Sequence, residues 1–195
     1  AERAVARHMG TAGTPGVHGI ERYPAGQVAA RQNDLMSDGA PLRIGCLGAA
    51  RITPAALIRP ASKSSRATVS AVAARDPGRA RTFARKHGIP KVYESYQDLV
   101  EADDVDAVYI PLPNGLHAQW TLVALKAGKH VLCEKPFTAN QGEAERVAAA
   151  VPSDLVVMEA FHWRYHPLAS RVLEIVQSGE LGAVRRVEAA LCFPL

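Results

Sequence analysis

The chain has 195 residues, of which 48% are hydrophobic and 22% are charged, and its formal net charge is +4 at pH 7. Such values are ordinary for a globular protein with one good domain and part of another. The charge is compatible with an anionic small ligand but too weak to indicate nucleic acid binding, and no apolar stretch approaches the ~20 residues that span a bilayer. We therefore expect neither a nucleic acid nor a membrane as partner.

Residues 1–41 are rich in Ala, Gly, Pro and Arg and show no sustained period. Because such a segment buries too little apolar surface to offset its ordering entropy, we expect a disordered tail. Met36 stands just before the first strand signal, so a natural start at Met36 is our hypothesis for the N-terminus.

From residue 42 onward, strand and helix patterns alternate. The patterns predict strands over residues 42–47, 68–74, 105–110, 130–133 and 155–158, and helices over residues 53–60, 77–87, 117–127 and 139–151. Short links between alternating strands and helices are typical of parallel strands joined by crossover helices. Residues 42–160 are therefore predicted to form a doubly wound α/β domain that binds a dinucleotide.

The segment after residue 160 predicts a helix over residues 167–178 and a strand over residues 184–191. One helix and one strand do not make a core. We interpret residues 161–195 as the truncated start of a second α/β domain and the chain as a fragment, which would leave an apolar face uncovered and the chain poorly soluble alone.

Three cysteines, Cys46, Cys133 and Cys192, each lie among apolar residues. An odd, widely spaced set is typical of small core residues in a reducing compartment. We expect a cytoplasmic protein, and the sequence indicates no metal site.

The first strand meets the first helix at the segment GCLGAARI. A turn at this place in a doubly wound sheet holds a pyrophosphate on free backbone N–H groups. The glycine fingerprint is met only loosely, so a simple strand–helix turn is the alternative. The location favours a dinucleotide turn, made by Gly48, Ala49, Ala50, Arg51 and Ile52.

The end of the second strand bears on the choice of cofactor. Enzymes that prefer NAD place an acidic residue there, whereas this chain has Ala74 followed by Arg75. A guanidinium suits the 2′-phosphate of NADP, and Arg79 lies in the basic segment that follows. We predict NADP as the cofactor, while Asp76 leaves NAD possible.

Two further segments follow strands at the same predicted edge. The first contains Pro111, Asn114 and His117, of which the last two could instead begin a helix. The second is Glu134-Lys135-Pro136, which we interpret as an ion pair followed by a strand-ending proline. A lysine leaving the core needs a partner or a ligand cleft, and beside a nicotinamide it could serve as an acid or base.

These features occur in the segments GCLGAARI, VSAVAARDPGRARTFARKHGI, DAVYIPLPNGLHAQWTLVALKAGKHVLCEKP and MEAFHWRYHP. The set resembles the Gfo/Idh/MocA oxidoreductases, and most of all the branch of dihydrodiol dehydrogenase and NADP-linked aldose dehydrogenase. The resemblance covers residues 42–195. It implies a Rossmann domain followed by a second α/β domain that covers the active site and often forms the contact of a homo-oligomer.

The resemblance also implies roles for particular residues. Gly48, Ala50, Arg51 and Ile52 would form the dinucleotide turn, and Arg75 would meet the 2′-phosphate. Asn114 and His117 would flank the ribose and nicotinamide, Glu134 and Lys135 would be the family's EKP pair with Lys135 catalytic, and Arg164 would lie at the domain junction near the cofactor. A further catalytic residue of the second domain has no match in residues 168–195, so this chain alone could be inactive.

The function we predict is hydride transfer between NADP and a hydroxyl carbon of a sugar, polyol or cyclic diol. One alternative is a non-catalytic dinucleotide-binding module or redox sensor. Another is a different α/β enzyme such as a methyltransferase, against which the EKP segment and the non-acidic end of the second strand argue.

Overall fold

The computed structural model describes residues 39–190 and residue 192. The proposed start at Met36 and all but the last three residues of the predicted tail lie outside the described residues.

A six-stranded sheet organises the chain from residue 42 onward. Its strands are β1 (Leu42–Leu47), β2 (Ala67–Ala73), β3 (Lys91–Tyr93), β4 (Ala107–Ile110), β5 (His130–Cys133) and β6 (Val157–Glu159). They lie in the order β3-β2-β1-β4-β5-β6, and every neighbouring pair is parallel. The chain reverses its direction of travel across the sheet between β1 and β4, which is the topology of a Rossmann fold. The predicted doubly wound α/β fold is confirmed.

Within the described residues, six helices accompany the sheet. They are α1 (π-helical over Pro54–Ile58 and α-helical over Arg59–Ala61), α2 (Pro77–His87), α3 (Tyr96–Glu101), α4 (His117–Lys126), α5 (Gln141–Ala150) and α6 (Pro167–Ser178). Single 3₁₀ turns occupy Asn114–Leu116 and His162–Tyr165. The predicted helices agree with these bounds to within a few residues. The sequence patterns missed β3 and α3, because elements of three and six residues are too short to establish a period.

Helix α2 illustrates why the sequence sets these bounds. The Asp76 carboxylate accepts a hydrogen bond from the Gly78 N–H at 2.8 Å, and Pro77 occupies the first turn, where its missing N–H costs nothing. Gly88 ends the helix at φ +68°, a left-handed conformation that suits glycine. These signals confirm the predicted helix over residues 77–87.

Hydrophobic side chains cover both faces of the sheet. On one face Leu47, Val108 and Ile110 pack with α3, α4 and α5. On the other face Cys46, Val72 and Tyr109 pack with Leu57 of α1 and Ala84 of α2. Because the strands are buried on both sides, they read as continuous apolar runs, which is why most could be located from sequence.

The segment after β6 is less covered. Helix α6 begins at Pro167 and ends before Gly179, as predicted, but Leu168, Val172, Leu173 and Val176 along it are 44–55% exposed. The predicted strand over residues 184–191 is wrong, because residues 184–190 form no regular element. A strand needs a hydrogen-bonded neighbour, and all six described strands lie in a sheet that this segment does not join.

Within the described part of the chain, no helix has both the length and the apolar character needed to cross a membrane.

The two core cysteines are expected to be inert towards thiol reagents in the folded chain. Cys46 and Cys133 are fully buried, and burial raises the pKa of each thiol to about 12, whereas Cys192 is exposed. Since the thiolate is the nucleophile, a colorimetric thiol assay at pH 8 should detect one reactive cysteine natively and three in guanidinium chloride. The Cys192→Ser variant should show none natively, and native labelling of Cys46 or Cys133 by mass spectrometry would contradict the burial argument.

Candidate functional site

The carboxyl ends of the strands bring the predicted residues to one edge of the sheet, called the rim below. The register fixes this arrangement, since Leu47 of β1 pairs with Ala73 of β2 and Ile110 of β4 pairs with Cys133 of β5. The rim therefore carries residues 48–52, 74–79, 111–117 and 134–136. Arg164 lies in the exposed turn His162–Tyr165, which follows β6 at the same edge.

The first turn of the rim presents its backbone. Gly48 adopts φ +101° and donates its N–H to the Ala73 carbonyl at 2.6 Å, which ties the turn to β2. A Cβ at this position would lie 3.2 Å from Cδ2 of Leu112, so a side chain has little room. Within the described residues, the N–H groups of residues 49–52 have no hydrogen-bond acceptor. Consecutive free N–H groups at a helix start are typical of an anion-binding turn.

Helix α1 begins immediately after this turn. Thr53 is fully buried and provides no side-chain cap for α1, while Arg51 and Ile52 are exposed beside it. The backbone just before α1 is therefore accessible to solvent at Arg51 and Ile52.

A shallow depression lies beside the first turn, between it and helix α2. It measures about 480 Å³ and is lined by Ala49, Asp76, Gly78, Arg79, Thr82, Phe83 and Lys86. Nη2 of Arg79 donates to the Ala49 carbonyl at 3.2 Å, so the guanidinium joins the two sides. Arg75 is exposed and forms no salt bridge with a described carboxylate. Because the Asp76 carboxylate already caps α2, the free polar groups here are predominantly cationic.

The segment after β4 begins at the half-buried Pro111 and reaches α4 through the turn Asn114–Leu116. Asn114 is exposed and makes no side-chain capping bond to this turn or to α4, so the structure does not support the alternative that it is a helix N-cap. Its amide remains available at the rim.

His117 occupies the first position of α4 and is only 1% exposed. Its Nδ1 lies 2.8 Å from the Pro136 carbonyl and its Nε2 lies 2.7 Å from the Leu112 carbonyl. The ring connects the segment after β4 to the segment after β5, and contact between His117 and a cofactor stays a prediction.

Glu134 and Lys135 differ in burial at the end of β5. Glu134 is only 8% exposed, and its Oε1 accepts a hydrogen bond from the Tyr109 hydroxyl at 2.7 Å. Its Oε2 accepts the backbone N–H of Lys135 at 3.3 Å. Lys135 is exposed at the rim and makes no salt bridge with Glu134, so the expected ion pair is wrong.

Tyr109 belongs to this group although the sequence patterns did not single it out. It is fully buried in β4, and burial, followed by its bond to the Glu134 carboxylate, raises the pKa of its hydroxyl. The hydroxyl therefore remains a donor across ordinary pH. The sequence does contain one indication of this role, a tyrosine within the otherwise aliphatic run AVYI. A buried hydroxyl requires a polar partner, so this tyrosine predicts a buried hydrogen bond.

Comparison with known proteins connects this geometry to one family. The sequence model described as "Oxidoreductase family, NAD-binding Rossmann fold", GFO_IDH_MocA, matches residues 42–161. The D-xylose 1-dehydrogenase (NADP(+)) 2 of Haloferax volcanii is 46% identical over 155 residues, which are 79% of this chain and 47% of that protein. The trans-1,2-dihydrobenzene-1,2-diol dehydrogenase of Bos taurus is 44% identical over 62% of this chain and 36% of its own length.

Two solved structures add bound cofactors. The 3-ketoreductase KijD10 from Actinomadura kijaniata, in complex with NADP and TDP-benzene, is 40% identical, with a TM-score of 0.66 over 71% of this chain and 43% of that one. The scyllo-inositol dehydrogenase from Lactobacillus casei, with NAD(H) and scyllo-inositol, is 28% identical, with a TM-score of 0.66 over 73% and 42%. The chain thus spans about half the length of the relatives it matches, of which KijD10 is bound to NADP and the scyllo-inositol dehydrogenase to NAD(H).

Proposed function

Because the chain belongs to the Gfo/Idh/MocA oxidoreductase family, we propose that it binds NADP and contributes to hydride transfer at a hydroxyl carbon of a sugar, polyol or cyclic diol. One observation carries the proposal. The turn of free N–H groups at residues 49–52, the exposed Arg75 and the exposed Lys135 all lie along one rim of the sheet.

The first turn fits a dinucleotide pyrophosphate. Gly48 leaves room for close approach because it has no Cβ, and free N–H groups follow it directly. Helix α1 begins at this point and adds the positive end of its dipole. We assign this role to Gly48, Ala49, Ala50, Arg51 and Ile52.

The charges beside the turn support NADP over NAD. Arg75 is free of described carboxylates, and Arg79 lines the depression that begins at Ala49. Two guanidinium groups would pair with the two charges of a 2′-phosphate. Asp76 is the acidic residue among those that line the depression. One of its carboxylate oxygens already accepts a hydrogen bond from the Gly78 N–H, so it is less available to a ribose hydroxyl. NAD binding of the kind found in the Lactobacillus casei relative is the second candidate.

Lys135 is the residue to which we assign proton transfer. A bound nicotinamide would supply the hydride acceptor. Lys135 would accept the proton of the substrate hydroxyl and stabilise the developing alkoxide. Its side chain is exposed at the rim and forms no salt bridge with Glu134. Pro111, Asn114, His117 and Glu134 would shape the rim around it, and Arg164 would approach from the turn after β6.

The substrate classes come from the relatives, whose names specify D-xylose and a cyclic diol. Since those proteins are about twice as long as this chain, we propose that residues 161–195 begin a second α/β domain, which would complete the substrate pocket and the contact of a homo-oligomer. The exposed apolar residues of α6 support this proposal, because such a face requires a covering. The alternative of a non-catalytic dinucleotide-binding module would show cofactor binding without turnover of any polyol.

Parallel fluorescence titrations of the chain with NADPH and NADH test the cofactor proposal. NADPH should bind more tightly, and Arg75→Gln should weaken NADPH by about 10- to 100-fold while leaving NADH within about twofold, since a charge-assisted bond contributes about 1.5–3 kcal/mol. Arg79→Gln should weaken both nucleotides, because its guanidinium also holds the Ala49 carbonyl of the turn.

The matched control is Arg85→Gln, on the exposed surface of α2 outside that depression, which should leave both affinities unchanged. Equal loss of NADPH and NADH in Arg75→Gln would contradict the 2′-phosphate assignment. A folded chain that binds neither nucleotide would overturn the proposed function.

A further inference from the structure

The hydroxyl of Tyr109 connects the middle of the sheet to the rim. Tyr109 lies in β4 between Cys46 of β1 and Leu132 of β5 and is fully buried. Its hydroxyl donates to Oε1 of Glu134 at 2.7 Å. The ring packs against the face that carries α1 and α2, and its polar end reaches the first residue after β5.

Each oxygen of the Glu134 carboxylate accepts one hydrogen bond from within the protein. A carboxylate that is 8% exposed requires hydrogen bonds to offset the loss of water. Its two oxygens take the Tyr109 hydroxyl and the backbone N–H of Lys135, and it has no salt bridge with a described lysine or arginine. The carboxylate therefore bridges the buried tyrosine to the main chain of the lysine at the rim.

The other side of Lys135 is held as well. The Pro136 carbonyl lies 2.8 Å from Nδ1 of His117, which is itself buried at the start of α4. The residues before and after Lys135 are thus each anchored by a buried side chain from the neighbouring β4–α4 unit. Without the Tyr109 bond, one oxygen of Glu134 loses its only described partner and the carboxylate is free to turn towards water.

We propose that Tyr109 is a positioning residue, which acts through Glu134 to hold the main chain of Lys135 in place at the rim. Its consequence for catalysis rests on the proposed function, in which Lys135 moves the substrate proton. The reach of the lysine towards a substrate is set by its backbone, so a small displacement of residue 135 affects proton transfer more than cofactor binding at residues 48–52.

Hydrogen exchange of the Lys135 amide tests this inference without a cofactor. In the full chain, Tyr109→Phe keeps the buried ring but removes the donor, and the exchange rate of the Lys135 amide should rise at least about fivefold. Tyr93→Phe is the matched control, because the Tyr93 hydroxyl also donates to a carboxylate, that of Asp104, away from the rim. It should leave Lys135 exchange unchanged.

Variants of Glu134 separate positioning from general loosening. Glu134→Gln keeps the size of the side chain but only one acceptor oxygen, so its NH2 group faces either the Tyr109 hydroxyl or the Lys135 N–H. Exchange of the Lys135 amide should therefore rise in Glu134→Gln as well as in Glu134→Ala. Adding Tyr109→Phe to Glu134→Ala should change nothing more, since both act through one bond. Where turnover is assayed, Tyr109→Phe should lower kcat about tenfold and leave the KM for NADPH within about twofold.

Unchanged Lys135 exchange in Tyr109→Phe, or additive effects in the double variant, would overturn the inference. Failure of the unsubstituted chain to bind NADPH or NADH is a different result. It would overturn the proposed function, while the exchange comparison would still decide whether Tyr109 positions Lys135.

Discussion

Replacing Lys135 with methionine is expected to lower turnover of a sugar, polyol or diol by about 10²- to 10⁴-fold, which is the usual contribution of a general acid or base. Methionine retains an unbranched stem of similar length but has no ammonium group. Lys135 is exposed and unpaired with Glu134, so the substitution leaves no buried partner unsatisfied and the fold should be preserved. NADPH affinity should stay within about twofold, because the proposed phosphate contacts lie at other turns of the rim.

Lys126→Met provides the matched control for Lys135→Met. Lys126 is also exposed, but it ends α4 and so lies at the opposite edge of the sheet from the rim. Its replacement should leave turnover unchanged. Equal turnover in the Lys135 and Lys126 variants would refute the catalytic assignment, and a parallel loss of NADPH affinity in Lys135→Met would convert it to a cofactor-binding role.

The elements that sequence patterns located share a local cause. The bounds of α2 are set by Asp76, Pro77 and Gly88, which act through hydrogen bonds and backbone conformations close to each helix end. Such bounds can therefore be predicted from the local sequence. The strands β1, β2, β4 and β5 are buried on both faces, which gives each an apolar run. Alternation of such runs with capped helices was sufficient to predict the doubly wound sheet.

The side-chain contacts within the site depend on the register between neighbouring strands, and no local sequence pattern predicts that register. Tyr109 and Glu134 are 25 residues apart and meet only because β4 and β5 are parallel neighbours, with Ile110 opposite Cys133. The same register brings His117 beside the Pro136 carbonyl. Adjacency in sequence suggests an ion pair between Glu134 and Lys135, but the Glu134 carboxylate is buried against the Tyr109 hydroxyl whereas Lys135 is exposed.

The first turn and Lys135, the two proposed parts of the rim, are indicated in the sequence in different ways. In the proposed function the first turn would bind phosphate through its backbone, so only Gly48 and its small neighbours indicate it in the sequence, and many sequences carry similar glycines. In the proposed function Lys135 would act through its side chain, which stands out in the sequence because a charged residue follows closely on the apolar end of β5. Their presence on one edge is what distinguishes this arrangement from a simple strand–helix turn.

Replacing Gly48 with valine is expected to reduce NADPH affinity at least about 100-fold. Gly48 adopts φ +101°, a conformation in which a β-branched residue is a genuine outlier. A Cβ would also lie 3.2 Å from Cδ2 of Leu112, so the turn must shift to accept it. Since the free N–H groups of residues 49–52 follow directly, their alignment would be lost, and each factor of ten in affinity requires only about 1.4 kcal/mol. Fluorescence titration with NADPH measures the loss.

Gly128→Val separates loss of the turn from loss of stability. Gly128 adopts φ +73°, a Cβ added there would meet nothing within 4 Å, and the residue lies beyond the end of α4, away from the rim. Both variants should lower the free energy of unfolding by about 1–3 kcal/mol through backbone strain, as denaturant titration would report. Only Gly48→Val should lose the nucleotide, and Gly48→Ala offers a milder substitution if the valine variant does not fold. Retained NADPH binding by a folded Gly48→Val chain would exclude this turn as the pyrophosphate site. A site made of main-chain N–H groups depends on the backbone conformation at Gly48, so displacing that residue must misalign the N–H groups that follow it.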